Sequence, residues 1–272
     1  IQRTGRVPPR LIDNDSLRIS ARFADYNGLL FNGTVEDPSN LSDWINDVLP
    51  YFLLRETRIR GKKGLRPLLP VVATTGAIDE SPVQVQRSYT DQDIVPGSVE
   101  VIYIPRAERV LFTAQMLWRQ QPSDEIGLAR TANIRYSDSQ EGPYEQHDLS
   151  AFATSETHAL KVGAYIIARR RYIEHRITLQ ILPGDVRDVL IQGDIVRVTL
   201  QRRASTDESR PRNPLGIPFY SYNPSSGRWV LNDVQSPPHD FLYEVDKIAR
   251  TADGSIKLEM TQFPIDDSGR SL

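Results

Sequence analysis

Apolar and polar positions alternate or recur along this chain in short blocks, and the period of each block predicts its element. Leu17–Phe23 (LRISARF) alternates with period two and reads as a strand, closed by the turn signal Asn27-Gly28. Leu41, Trp44, Ile45, Val48 and Leu49 fall at helical spacing, with Ser39 or Asn40 as the cap and Pro50 as the stop. A hairpin follows near 51–72: Tyr51–Ile59, a turn at Gly61-Lys62-Lys63-Gly64, then Leu65–Val72, whose two prolines suit an edge. Val99–Ile104 and Val110–Trp118 read as strands, whereas 119–150 is polar, rich in turn formers and carries no clear period.

From Ser155 to Tyr172 the period becomes helical again. Ala159, Leu160, Gly163, Ala164 and Ile167 make the apolar face, and Arg169-Arg170-Arg171 complements the negative end of the helix dipole. Beyond Tyr172 every block reads as strand: Arg176–Leu182, Val189–Leu200 broken at Gly193-Asp194, Pro218–Tyr222, Arg228–Leu231, Phe241–Ala249 and Ile256–Phe263. Six strands joined by turn signals suggest a small barrel or sandwich. The expected fold class is strand-dominated α+β. A mixed α/β domain over 1–171, with helices near 40–49 and 155–171, precedes a small antiparallel β-barrel over 172–265. Residues 266–272 read as a tail or linker.

Composition removes whole classes of chemistry. With no cysteine among 272 residues, disulfide scaffolds, thiolate metal sites and cysteine nucleophiles are excluded. A formal charge of −2 gives no global attraction to nucleic acid or anionic membrane, and no run is long and apolar enough to span a bilayer. Arginine supplies most of the 33 basic residues, which suits interfaces that bury charge and equally reflects a codon bias. The chain opens Ile1-Gln2-Arg3 without methionine, which reads as a segment of something longer.

The search for a catalytic constellation finds none. His147, His158, His175 and His239 lack a second ligand at metal spacing, and there is no Walker loop, dinucleotide fingerprint or nucleophile elbow. Asp13-Asn14-Asp15-Ser16 starts like a calcium loop but lacks its glycine and closing glutamate. The pairs Asp91/Asp93 and Asp266/Asp267 are of the kind glycosidases use, yet adjacency in sequence does not set two carboxylates across a sugar. The expectation is a protein that is not an enzyme and has no cofactor, metal or catalytic residue.

One ordered set of features resembles a known family. Ala151–Arg171, the strand Arg176–Leu182 and then Leu190–Val198 (LIQGDIVRV), with Asn32-Gly33, the helix Asn40–Phe52 and Gly61–Pro70 upstream, are similar to the central hub of tailed-phage tail-tip and baseplate proteins. Residues 241–263 fit that hub's closing hairpin. The resemblance implies a homotrimeric ring, part of the virion, that continues the tail tube. It would lie below a tube or distal tail protein and above a fibre or spike, in transient, non-specific contact with passing phage DNA and with no membrane partner. Gly193 and Asp194 are expected to shape a turn, and Glu174, Asp194, Glu244 and Asp246 are candidate lumen-facing acids. The alternative is a carbohydrate-binding or carbohydrate-active module using Tyr220, Tyr222 and Trp229; a nucleic-acid module on the C-terminal strands is the third reading.

Overall fold

The computed structural model describes residues 8–33, 41–59, 61–105, 107–110, 112–120, 129–135, 142–182, 190–200, 220–223, 228–231, 239–252, 254–266 and 268–271. Its elements run α1 (Asn14–Tyr26), α2 (Leu41–Val48), β1 (Leu54–Ile59), β2 (Lys62–Pro67), β3 (Arg87–Thr90), β4 (Glu100–Tyr103), β5 (Thr113–Trp118), β6 (Arg130–Ile134) and β7 (Tyr144–Asp148). Then come α3 (Glu156–Tyr172), β8 (His175–Ile181), β9 (Ile195–Leu200), β10 (Tyr220–Asn223), β11 (Arg228–Leu231), β12 (His239–Arg250) and β13 (Ile256–Gln262). The chain divides into two compact units. The first comprises 1–82, 105–173 and 266–272; the second comprises 83–104 and 174–265. Residues 83–104, grouped by the sequence reading with 1–171, thus belong to the second unit.

The expected strand at Leu17–Phe23 is instead the centre of α1. Ser20, Phe23 and Asn27 are buried at intervals of three and four, with Ser16 half-buried one turn earlier. Three of these four are small and polar, so a scan for apolar periodicity misses the helical stripe. Asp13 caps the helix by accepting from the backbone N–H groups of Asp15 (3.2 Å) and Ser16 (3.4 Å), which accounts for the acidic cluster there without a metal.

At Pro50 the chain tightens into a 3-10 turn over Leu49–Phe52, closing on Leu53 at φ +53°. Strands β1 and β2 then pair from Leu54↔Pro67 to Ile59↔Lys62, so Lys62, Lys63 and Gly64, expected in the turn, belong to β2. The reason is division of labour between the glycines. Gly61 adopts φ +79° in the loop, while Gly64 lies in β2 where a Cβ would come 2.0 Å from Ser16 Oγ of α1.

Strands β6, β5 and β7 make a three-stranded sheet, β5 antiparallel to β6 and parallel to β7. The outer two were illegible in sequence because they are largely polar; backbone pairing to the apolar β5 holds them. Helix α3 buries His158, Ala159, Val162, Gly163 and Ile167. Leu160 and Ala164, assigned to its apolar face, are exposed. The first core gathers Phe23, Phe52, Met116, Leu149, Phe152 and Val162.

In the second unit, six strands form one sheet in the order β3-β9-β12-β13-β8-β4. Every neighbour pair is antiparallel except β3 with β9. The small antiparallel barrel expected over 172–265 is therefore an open, mixed sheet among the described residues, with no pair linking β3 to β4. Val196, Val198, Tyr243, Val245, Leu258, Met260, Ile177 and Leu179 line its buried face. Strands β10 and β11 pair antiparallel as a two-stranded sheet.

Candidate assembly surface of the second unit

The turn before β9 shows why Gly193-Asp194 stands where it does. Gly193 has φ +89°, and its N–H donates to the Val245 carbonyl at 2.8 Å. Asp194 Oδ2 accepts the Ile191 N–H at 2.9 Å, while its carbonyl accepts the Val245 N–H at 3.0 Å. The turn is thus fastened to β12 at the point where that strand slips register between Val245 and Lys247. Asp246 is the bulged residue. Its Oδ2 accepts the Thr261 hydroxyl at 2.5 Å and its carbonyl accepts Gln192 Nε2 at 2.9 Å.

The four candidate lumen acids fare differently. Asp194 is only 8% exposed, and its carboxylate is taken up inside the turn. Glu244 is half-buried, opposite Ile195 and Thr261, and Asp246 is exposed one bulge further along. Glu174 is exposed just before β8, its N–H donating to Gln262 Oε1 at 2.8 Å. Register and bulge place Asp194, Glu244 and Asp246 at one end of the β9–β12 pair, and Glu174 precedes β8, which lies beyond β13 from β12.

The face opposite the main core is mixed: Ile195, Leu242 and Phe263 are buried together on it, and polar rows cross the rest. One row reads Glu244–Thr261–Arg176–Ile102 and the next Lys247–Glu259–Thr178–Glu100. Lys247 and Lys257 approach Glu259 at 3.5 and 3.9 Å, and Arg197 approaches Asp240 at 3.6 Å. These exposed pairs contribute little stability, typically below about 1 kcal/mol each, but keep the face hydrated. At the β4 edge the character changes: Ile102 and Tyr103 are 55% and 50% exposed.

A feature missed in sequence lies on the opposite, buried face. His175 Nε2 and the Tyr243 hydroxyl are 2.7 Å apart, and the imidazole ring packs against Tyr103, Phe241 and Tyr243. Burial pushes the His175 pKa down, against the opposing pull of the Glu174 carboxylate, and pushes that of Tyr243 up. The nearby Tyr89 phenol is buried without a hydrogen-bond partner among the described residues, and burial pushes it up to about 12. The signal available in sequence was only the alternation that puts His175 in phase with Ile177 and Leu179.

In the first unit, His158 Nε2 lies 2.7 Å from the Tyr51 carbonyl, and desolvation again holds its pKa down. His147 is lowered too, chiefly by burial, beside the ion pair of Arg170 with Glu145. For all three histidines the unfolded chain titrates near 6.5, whereas the folded chain binds the proton only at lower pH. The unfolded state therefore gains protons first, and stability falls as pH drops below about 6.5. Chemical denaturation at pH 7.5 and pH 5 should show a lower midpoint in acid, with a smaller loss in His158→Gln; an unchanged midpoint would contradict the burial of these rings.

No group of three or more His, Asp or Glu residues able to hold a metal occurs among the described residues. Asp93 is engaged with the Thr90 N–H and hydroxyl, and Asp266 with the N–H groups of Ser268 and Arg270. Asp267 and the side chains of His239, Tyr220, Tyr222 and Trp229 lie outside the described set, although the β10–β11 register sets Tyr222 opposite Trp229. The triple arginine is partnered: Arg170 stacks over Phe112 as well as pairing with Glu145, Arg169 lies over Tyr165 and Arg171 over Tyr172.

No family model matches the chain, and neither does any curated protein. Among solved structures it is similar to a chain from the virion of a native gene transfer agent particle, with 14% identity and a TM-score of 0.47 over 85% of this chain and 40% of that one. It is also similar to a tail protein from Neisseria meningitidis MC58, with 10% identity and a TM-score of 0.47 over 89% of this chain and 60% of that one. A third is the 43 kDa tail protein of prophage MuSo2 from Shewanella oneidensis, with 9% identity and a TM-score of 0.38 over 88% and 56%. The chain spans between 40% and 60% of the length of these three proteins.

Proposed function

We propose that this chain is a structural component of a tailed-phage tail, at the tip or baseplate hub, assembling into a ring that gives DNA passage. The observation that carries the reading is the open six-stranded sheet. From β9 the strands alternate in direction through β12, β13 and β8 to β4, and β3 runs parallel to β9, so β3 and β4 point the same way. Because the two edges are different strands, β4 of one copy against β3 of the next is a heterologous contact. Repeated with a fixed rotation, such a contact closes a ring, and three copies would complete a barrel that one copy leaves open. Backbone pairing supplies the affinity in such an added strand, and exposed Ile102 and Tyr103 would supply the apolar contact.

The order of elements that carries the sequence resemblance is consistent with this role: α2 then the β1–β2 hairpin, and α3 then β8, the Gly193-Asp194 turn and β9. A polar sheet face bearing Glu244, Asp246 and Glu100 would repel passing DNA, leaving it free to slide. Light scattering is expected to give three times the mass of one chain, and Ile102→Lys with Tyr103→Lys is expected to return the monomer with its circular dichroism unchanged. A wild-type chain that stays monomeric at high micromolar concentration would sink the ring reading.

A further inference from the structure

We propose that the β1–β2 ribbon is a binding element for the phosphate backbone of duplex DNA. Between Leu54 and Pro67 the sequence carries Arg55, Arg58, Arg60, Lys62, Lys63 and Arg66 against the single acid Glu56, in a chain whose net charge is −2. The register then sets Arg58 directly across from Lys63. Like charges placed opposite each other destabilise a ladder, so the fold itself gains nothing from this arrangement. Glu56 is shared between the two, 3.4 Å from Arg58 and 3.3 Å from Lys63, and one carboxylate neutralises only one of them.

The tip remains positive and open to solvent. The side chains of Arg58 and Lys63 are 69% and 42% exposed, and Lys62 is exposed beside them. Side-chain alternation puts Arg58 and Lys63 on one face and Lys62 on the other, so at the tip cations project from both faces, while from Gly64 onward Asp13 and Ser16 cover the Lys62 face. A flat acidic protein surface would engage one face only. The major groove of DNA admits a two-stranded ribbon and presents phosphates to both of its sides. A membrane surface fits less well, because Ile59 is the only large apolar residue between Arg58 and Lys63.

The contact is sequence-independent and weak, with a Kd of about 10⁻⁵ M at physiological salt, tighter at low salt and rising steeply as salt is added. It belongs to the first unit and does not require ring formation. Anisotropy of a labelled random-sequence duplex, titrated with the full chain across a range of salt, tests it. Arg58→Gln with Lys62→Gln and Lys63→Gln should weaken binding about tenfold or more and reduce the log–log salt slope by about 2 to 3. Lys62→Gln alone, a change at an exposed position, should lower the slope by about 1, and Lys247→Gln with Lys257→Gln in the second unit should change nothing. No binding by the wild type at low salt, an unchanged slope in the triple variant, or equal competition by poly-glutamate would overturn the assignment. Light scattering on the same variants reads ring formation separately, so failure of one reading is distinguishable from failure of the other.

Discussion

Replacing Gly76 by alanine is expected to destabilise the first unit by about 3–4 kcal/mol, read as a lower urea midpoint with loss of amide protection along α1. Gly76 sits at φ +84°, where a Cβ costs about 1–2 kcal/mol by itself. The added methyl would also lie 2.3 Å from the Arg22 carbonyl oxygen and 2.7 Å from the Phe23 nitrogen, both backbone atoms of a helix that cannot turn aside. Relief requires the loop to retreat, and the loop is fastened. Its Gly76 carbonyl accepts Asn27 Nδ2 at 3.2 Å, and the same amide donates to the Phe23 carbonyl at 2.9 Å. Lys161 of α3 in turn donates to the Asn27 carbonyl at 2.9 Å and to its Oδ1 at 3.1 Å. Disturbing such a buried set adds about 1–3 kcal/mol. Gly28 provides the contrast: its φ is also positive, at +67°, but a Cβ there meets nothing within 4 Å. Gly28→Ala should therefore lose only about 1 kcal/mol, and equal losses at the two glycines would refute the close-approach account.

The second large effect is expected at Leu179. It is fully buried at the middle of β8, opposite Leu258, in the cluster that also holds Ile177, Met260 and Val198. Leu179→Ala removes three methylene-sized groups from a position where a paired strand backbone prevents collapse, and about 3–4 kcal/mol should be lost. The neighbouring Thr178 points to the hydrated face, so Thr178→Ala should change stability by less than about 1 kcal/mol. Hydrogen exchange would locate the Leu179→Ala loss in peptides of 174–181 and 256–262. Similar midpoints for the two variants would mean that the buried and hydrated faces have been assigned the wrong way round.

Legibility in sequence followed how each element is stabilised. Strands β8, β9, β12 and β13 were readable because burial on one face imposes a period on their own residues; α3 was readable as a helix, although Leu160 and Ala164 of its expected apolar face are exposed. Helix α1 was not, because Ser16, Ser20 and Asn27 take up buried or half-buried positions that a period search expects to be apolar. Strands β6 and β7 were hidden for a related reason: as outer strands they are held by backbone pairing to β5, which leaves little mark on side-chain pattern. Among the candidate site residues, Gly193 could be assigned its turn because left-handed backbone favours glycine. The surroundings of Asp194, Glu244 and Asp246 depend instead on a bulge in β12, which the sequence does not announce.

By itself, then, the chain determined its strand-dominated α+β character, the presence of helix α3, the absence of thiol chemistry and the place of the Gly193 turn. These follow from local propensity, residue inventory and the period of burial, all of which are written in neighbouring residues. Only the tertiary structure decided that β3 and β4, drawn from 83–104, flank a sheet otherwise built after residue 174, leaving it open among the described residues with two edges that run the same way. It alone placed His175 against Tyr243 and set Arg58 across from Lys63. Long-range pairing and register are properties of two segments together, and no pattern within either one contains them.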